Sequence, residues 1–166
     1  MIEIREAKEA DAAGLLAIYA PYVEHTAITF EYEVPTLAEF TERIRQTKTK
    51  YPYLVAKQDG KALGYAYAGQ FHAREAYAWA VETSIYVDES CKHTGIGGKL
   101  HAALEEALKE QGFLNMNACI AYAPNEDEYL TNNSVEFHAH LGYRMVGQFY
   151  QCGYKFGRWY DMVWME

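Results

Sequence analysis

The chain has 166 residues, a formal net charge of −8 and an aromatic share of 15%, most of it tyrosine. That length predicts one domain with a substantial core, and the acidic balance argues against nucleic acid or an anionic membrane as the main partner. No apolar run approaches a membrane span, Met1-Ile2-Glu3-Ile4-Arg5 lacks signal-peptide character, and the widely spaced Cys91, Cys119 and Cys152 read as free thiols, so a cytoplasmic protein is expected.

Ile2–Arg5 alternates apolar and polar residues, as a short strand does. Residues 8–24 carry Leu15, Ile18, Tyr19, Tyr22 and Val23 at helical spacing, with Asp11 in the favourable first turn. A polar and aromatic loop, Thr26–Pro35, precedes a second helix. Thr36 and Glu39 form its capping box, and Leu37, Phe40 and Ile44 its buried stripe. Tyr53–Lys57 and Ala62–Phe71 read as strands joined at Asp59-Gly60. Tyr77–Val87 is the next strand, with Val81, Thr83, Ile85 and Val87 on one face and Glu82, Ser84 and Tyr86 on the other. Helix 95–111 stripes Ile96, Leu100, Leu104 and Leu108 and ends at Gly112. Met116–Tyr122 is a fifth strand. Asn133 with Glu136 caps a short helix that stops at Gly142, and strands over about 143–149 and 153–165 finish the chain. The pattern is mixed α/β, a central sheet with helices on both faces.

The segment Lys92-His93-Thr94-Gly95-Ile96-Gly97-Gly98-Lys99 follows an apolar strand and opens a helix. Glycines allow a tight turn and close approach of a ligand to the backbone, and a helix start offers unpaired N–H groups and a positive dipole end. Together these make a phosphate cradle, unless the segment is a plain strand-to-helix turn. Leu100 stands where a dinucleotide fingerprint needs its third glycine, and the spacing of a P-loop is absent. A pyrophosphate held by main-chain amides remains, with coenzyme A the leading candidate. The six histidines offer no helical i, i+4 pair, and His138 and His140 diverge on a helix, so no metal is expected.

The order of elements resembles the GCN5-related N-acetyltransferase (GNAT) superfamily over the whole chain. So do residues 92–97, which match its Arg/Gln-x-x-Gly-x-Gly/Ala acetyl-CoA motif with Lys92 in place of Arg or Gln. A second signature runs from Asn132/Asn133-Ser134 to Gly142-Tyr143. Within the superfamily the chain is most similar to phosphinothricin-type acetyltransferases, through residues 18–31, 73–84, 134–143 and Gly153-Tyr154-Lys155-Phe156-Gly157-Arg158-Trp159-Tyr160-Asp161. His72 stands where that branch has Lys, Ala78 where Asp is common, and Pro124–Leu130 reads as an insertion.

The resemblance implies a mostly antiparallel seven-stranded sheet with about four helices, and a homodimer. It also implies acetyl transfer from acetyl-CoA to the α-amine of a small amino-acid-like substrate, by direct attack on the thioester. Acetyl-CoA would meet Ile85, Tyr86, Val87, the 92–99 cradle, Asn133 and Ser134. A carboxylate, or a water relay to one, is useful for taking the proton of an ammonium, and Glu82, mid-strand between apolar neighbours where partial burial would raise its pKa, suits that work. His138, one turn after Ser134, is the second catalytic candidate as proton shuttle or acid towards sulfur. Arg74 suits a substrate anion, with Tyr77 and His72 beside it, and Phe30, Tyr32 and Trp159 are candidate pocket walls. Three other activities compete: acetylation of a polyamine, acetylation of a protein N-terminus, and acyl-CoA sensing without turnover.

Overall fold

A computed structural model describes residues 1–166. The chain forms seven strands and four α-helices in the expected order, and every strand pairing described below is antiparallel. Its residues group into two units, Met1–Tyr19 with Pro35–Met116, and Ala20–Val34 with Asn117–Glu166.

In the first unit β1 (Glu3–Glu6), β2 (Tyr53–Gln58), β3 (Lys61–Gln70) and β4 (Ala80–Val87) pair in sequence order. One face packs against α3 (Ile96–Glu110), where Leu100, Leu104 and Leu108 meet Ala56, Leu63, Ala66, Ala68 and Val81. The helix lies close to the sheet: a Cβ at Gly64 would stand 3.0 Å from Leu100 Cδ1. The other face carries a tyrosine stack. Tyr53 pairs with Tyr67 at 4.7 Å between ring centroids, and Tyr65 with Tyr86 at 5.5 Å. Tyr19 covers that stack from α1 (Ala12–His25), and Phe40 does so from α2 (Leu37–Lys48). The Thr36–Glu39 capping box that opens α2 is closed in both directions at 3.1 Å.

The second unit holds β5 (Asn115–Tyr122), α4 (Asn133–His140), β6 (Met145–Lys155) and β7 (Arg158–Met165), with β7 pairing β5 on one side and β6 on the other. Ala118, Ile120, Val163 and Met165 form one buried cluster, closed by Val135 and Tyr143. Ala27, Ala123, Leu130 and Tyr160 form another. β5 begins on Asn115 and Met116, which belong to the first unit.

Several boundaries move. The first helix opens as a 3-10 turn at Glu9–Asp11, because Asp11 does more than face a helix dipole. Its buried carboxylate takes the Lys8 N–H and the Arg5 guanidinium, with Lys57 Nζ at 3.3 Å. Leu37 does not join the buried stripe of α2; it lies in the first turn and is exposed, whereas Phe40 and Ile44 are buried. The strand expected from Tyr77 starts at Ala80, since Glu75–Tyr77 make a 3-10 turn. Asn132, not Asn133, occupies the N-cap of α4, and its side chain is engaged by both backbone groups of Ala123 instead of capping. The break expected near residue 150 is a bulge inside one continuous strand, β6. Gln151 there has φ +49°, and its N–H is held by the Asp161 carboxylate at 2.7 Å. The chain reverses at Phe156-Gly157, both with positive φ, which is the backbone of a two-residue hairpin turn.

Candidate active site

β4 presents Glu82, Ser84 and Tyr86 on the tyrosine face, opposite Gly69, Tyr67 and Tyr65 of β3. Glu82 is half-buried, and burial pushes its carboxyl pKa up, with His72 nearby pulling weakly the other way. A carboxylate in that state holds a proton more readily than one in water, which suits a general base. Opposite it, a Cβ built at Gly69 would touch nothing within 4 Å, so the face beside the carboxylate is open. Ile85 and Val87 point the other way, onto the core under α3, and the backbone of 85–87 pairs with Gly64–Ala66.

Past β4, Asp88 accepts the Ser90 N–H at 2.9 Å and closes a 3-10 turn, Glu89–Cys91, that aims the chain into the glycine segment. Thr94 Oγ1 donates to the Cys91 carbonyl, His93 is left-handed at φ +62°, and Gly95 is left-handed at φ +86° as the N-cap of α3. No side chain caps this helix, so the N–H groups of its first turn look outward. Lys92, His93 and Lys99 are exposed around them, and Ile96 and Leu100 anchor the turn into the core. Gly97 and Gly98 are half-buried within the first turn. Gly98 is informative because its φ does not demand glycine and a Cβ there would meet nothing within 4 Å beyond its chain neighbours and its own helix backbone. Nothing inside the chain needs glycine at 98, at a cost in helix propensity of about 1 kcal/mol. Room for an anionic ligand against the main chain is a reason that does, and the donor set suits a pyrophosphate.

His72, Arg74 and Tyr77 lie on the exposed stretch between β3 and β4. Phe71 and His72 are tilted against each other and both meet Tyr77 edge to face, His72 and Tyr77 at 5.0 Å between centroids. Arg5, Arg45, Arg144 and Arg158 all engage carboxylates. Arg74 has no such partner, although the chain is acidic, and its guanidinium is open to an anion from outside.

In the second unit His138 is buried on α4, and its Nδ1 lies 2.7 Å from the Ser134 carbonyl oxygen. A carbonyl only accepts, so Nδ1 carries the hydrogen and Nε2 of the neutral ring is an acceptor. Burial lowers the His138 pKa, against the Ser134 bond, and favours that neutral ring. The rings of Phe137 and Tyr143 stand nearly perpendicular to it, at 5.2 and 5.0 Å between centroids. Ser134 is half-buried one turn before it, whereas Asn133 and His140 are exposed. Phe30 is half-buried with its ring against Gly153, and Trp159 is 61% exposed and leans on Tyr154 at 4.9 Å.

Two arrangements escape a reading by residue type. Lys155 is buried, its ammonium donating to the Val23 and Thr29 carbonyls at 2.8 and 2.9 Å. Arg158 and Tyr160 both reach Asp127, which binds the 127–130 segment to the β6–β7 hairpin; burial and that bond push the Tyr160 phenol up to about 12. The signal for both was present only as the motif letters around Gly153–Asp161.

Comparison with known proteins agrees with this fold. The sequence model of a family described as "Acetyltransferase (GNAT) domain" matches residues 4–164. A phosphinothricin N-acetyltransferase of Streptomyces viridochromogenes is 36% identical, with 97% of this chain and 84% of that protein covered. An L-methionine sulfoximine/L-methionine sulfone acetyltransferase of Pseudomonas aeruginosa is 37% identical, covering 98% and 92%. Among solved structures, a GNAT superfamily phosphinothricin acetyltransferase of Sinorhizobium meliloti in complex with acetyl-CoA superposes with a TM-score of 0.89. It is 33% identical, covering 99% of this chain and 86% of that one.

Proposed function

Because the chain belongs to the GNAT family and is an N-acetyltransferase, we propose that it acetylates the α-amine of a compact, anionic, amino-acid-like substrate of the phosphinothricin and methionine sulfone or sulfoximine type. Acetyl-CoA is the donor and supplies the activated acetyl group when bound. The reading is supported by the names of the relatives and, above all, by Glu82, a half-buried carboxylate with a raised pKa on the open face of β4; Arg74, on the exposed stretch before that strand, has no carboxylate partner.

The first-turn amides of α3, with Lys92, His93, Thr94, Gly95, Ile96, Gly97, Gly98 and Lys99 around them, hold the pyrophosphate, and the polar side of the 85–87 backbone holds the donor's pantetheine arm. Arg74 takes the substrate anion in bidentate fashion, with His72 and Tyr77 beside it, and Phe30 and Trp159 shape the side-chain space. Glu82, directly or through water, removes the ammonium proton so that the nitrogen lone pair can attack. His138 accepts a proton at Nε2 and, once charged, can deliver one to the departing sulfur; Asn133 and Ser134 flank the donor on α4. Metal is not needed for this chemistry.

The family match runs through both units, which supports one acetyltransferase domain. A homodimer is part of the proposal. β6 pairs only with β7 within its unit and exposes Met145, Val146, Phe149 and Tyr150. Cytoplasmic action is supported by three cysteines outside any disulfide; no helix is long and apolar enough to cross a membrane.

Thiol release from acetyl-CoA over an amine panel tests the function. Turnover of phosphinothricin or methionine sulfone is expected. Turnover only of polyamines or of peptide N-termini, or acetyl-CoA binding without turnover, would each replace this reading with one of its competitors.

A further inference from the structure

The loop that carries Phe30 is tied to the end of β6 at three points. Lys155 Nζ donates to Val23 O at 2.8 Å and to Thr29 O at 2.9 Å. The Phe30 ring lies against the Gly153 backbone, where a Cβ would stand 2.4 Å from Cε2. The Tyr32 hydroxyl donates to the Tyr154 carbonyl. Val23 is in the last turn of α1, whose carbonyls run out of helical partners, and the N–H of Ala27, four residues on, goes to Tyr129 O instead. A cation there answers both the orphan carbonyl and the negative end of the helix dipole. Thr29 O is the acceptor immediately before Phe30. One buried ammonium thus joins the end of a helix to the residue that precedes the ring.

Burial by itself disfavours a charge in that position, against the two carbonyls, the helix end and the Glu31 carboxylate that favour one. Lys155 is 4% exposed, burial lowers its pKa, and an apolar side chain of similar length would fill the same volume. Packing alone therefore does not account for a lysine. Its two acceptors bracket a loop of mixed polar and aromatic residues outside helix and strand, whose own ties are the short turns made by the Thr26 and Thr29 hydroxyls.

We propose that Lys155 is a positioning residue that sets the affinity for the amine substrate, by using its two main-chain hydrogen bonds to hold the 26–31 segment so that Phe30 stands as a fixed wall. This rests on the reading of Phe30 as part of the amine site and goes beyond it by naming what fixes the wall. Lys155 touches neither substrate in this role.

Kinetics and amide hydrogen exchange of Lys155→Met and Lys155→Arg test it. Lys155→Met is expected to raise the amine KM about tenfold, the order of effect that displacement of a positioning group produces. The acetyl-CoA KM should stay within about twofold, and exchange should speed up across residues 26–31 and not in α3. Lys155→Arg, which keeps the donors, should recover most of the amine KM. In a cycle with Phe30→Ala, the two substitutions should be strongly non-additive for amine KM, since one acts through the other. If Lys155→Met does not fold, Tyr32→Phe removes an exposed tie and should raise the amine KM selectively by a smaller factor.

An equal rise in both KM values, additive effects with Phe30→Ala, or faster exchange at 26–31 with an unchanged amine KM would each overturn the proposal. So would an unchanged amine KM in Tyr32→Phe, where that is the folded variant. If the unsubstituted protein turned over no amine, the parent reading would fail and the positioning role with it, while exchange would still report whether Lys155 holds the segment.

Discussion

Phe30 and Gly153 touch ring to backbone, with Phe30 Cε2 2.4 Å from the point where a Cβ at residue 153 would lie. Residue 153 cannot take a side chain while the ring is in place, because the ring occupies the space a Cβ there would fill. Gly153→Ala is expected to destabilise the protein by about 1–3 kcal/mol through overpacking, read as a fall in Tm and denaturant midpoint. Adding Phe30→Leu should return part of the loss. Full stability in Gly153→Ala alone would contradict the contact.

Gly98 separates folding from binding. Gly98→Ala meets nothing within 4 Å beyond its chain neighbours and its own helix backbone and improves helix propensity, so stability should hold or rise by up to about 1 kcal/mol. Acetyl-CoA affinity should fall in the same variant, measured by calorimetric titration, because a methyl then stands in front of the first-turn amides. Unchanged affinity would remove Gly98 from the donor site.

Glu82→Gln should lower kcat/KM by about 10²-fold, the usual size of a general-base contribution, with acetyl-CoA binding intact. The base works deprotonated, so the rate should fall as pH drops through the Glu82 pKa, and that limb should lie above the ordinary glutamate range. The stability effect has the opposite sense. A carboxyl whose folded pKa is raised is most favourable to folding below its unfolded pKa and becomes less so as pH rises through the folded value. Glu82→Gln should therefore keep or raise Tm at neutral and alkaline pH. A near-normal rate with an unshifted acid limb would exclude Glu82 as the base.

Arg74→Lys retains charge but loses the planar fork. The amine KM should rise by about tenfold, and by about tenfold to 10²-fold in Arg74→Ala, with the acetyl-CoA KM unchanged. An equal effect on amines that lack an anionic group would refute the assignment.

Asp11 supplies a pH dependence of the fold. Its hydrogen bonds to Arg5, reinforced by the Lys8 N–H and Lys57, hold its carboxyl well below the usual range. The stabilisation is complete above the unfolded pKa and is lost as pH falls through the folded one. Asp11→Asn should cost about 1–3 kcal/mol at neutral pH, with a smaller difference from the parent in strong acid. Chemical denaturation at pH 7 and pH 3 measures both.

Much of this was legible in local patterns. The Thr36–Glu39 box, the Asp59-Gly60 turn, the Leu100–Leu104–Leu108 stripe and the alternation along 81–87 each depend on neighbours a few residues away. The loop-like residues 150–152 misled, because a bulge is indistinguishable from a loop until Asp161, ten residues from Gln151, takes its N–H. Asn133 precedes Glu136 by the interval of a capping box, yet the residue at the cap is Asn132, whose amide turns towards Ala123. Glu82, His138 and Arg74 could be nominated by type and place; Lys155 could not, since its role lies in carbonyls more than 120 residues earlier.

By itself the sequence determined the elements, the faces they bury and the glycine-started helix, because periodicity, caps and turns are short-range and repeat with the backbone's own geometry. Only the tertiary structure decided which polar groups are spent and which are left to act. The Nδ1 proton of His138, the unpartnered guanidinium of Arg74, the raised carboxyl of Glu82 and the buried ammonium of Lys155 depend on burial and on partners brought in by folding. Desolvation and hydrogen bonding are properties of that assembled surrounding, and no residue carries them along the chain.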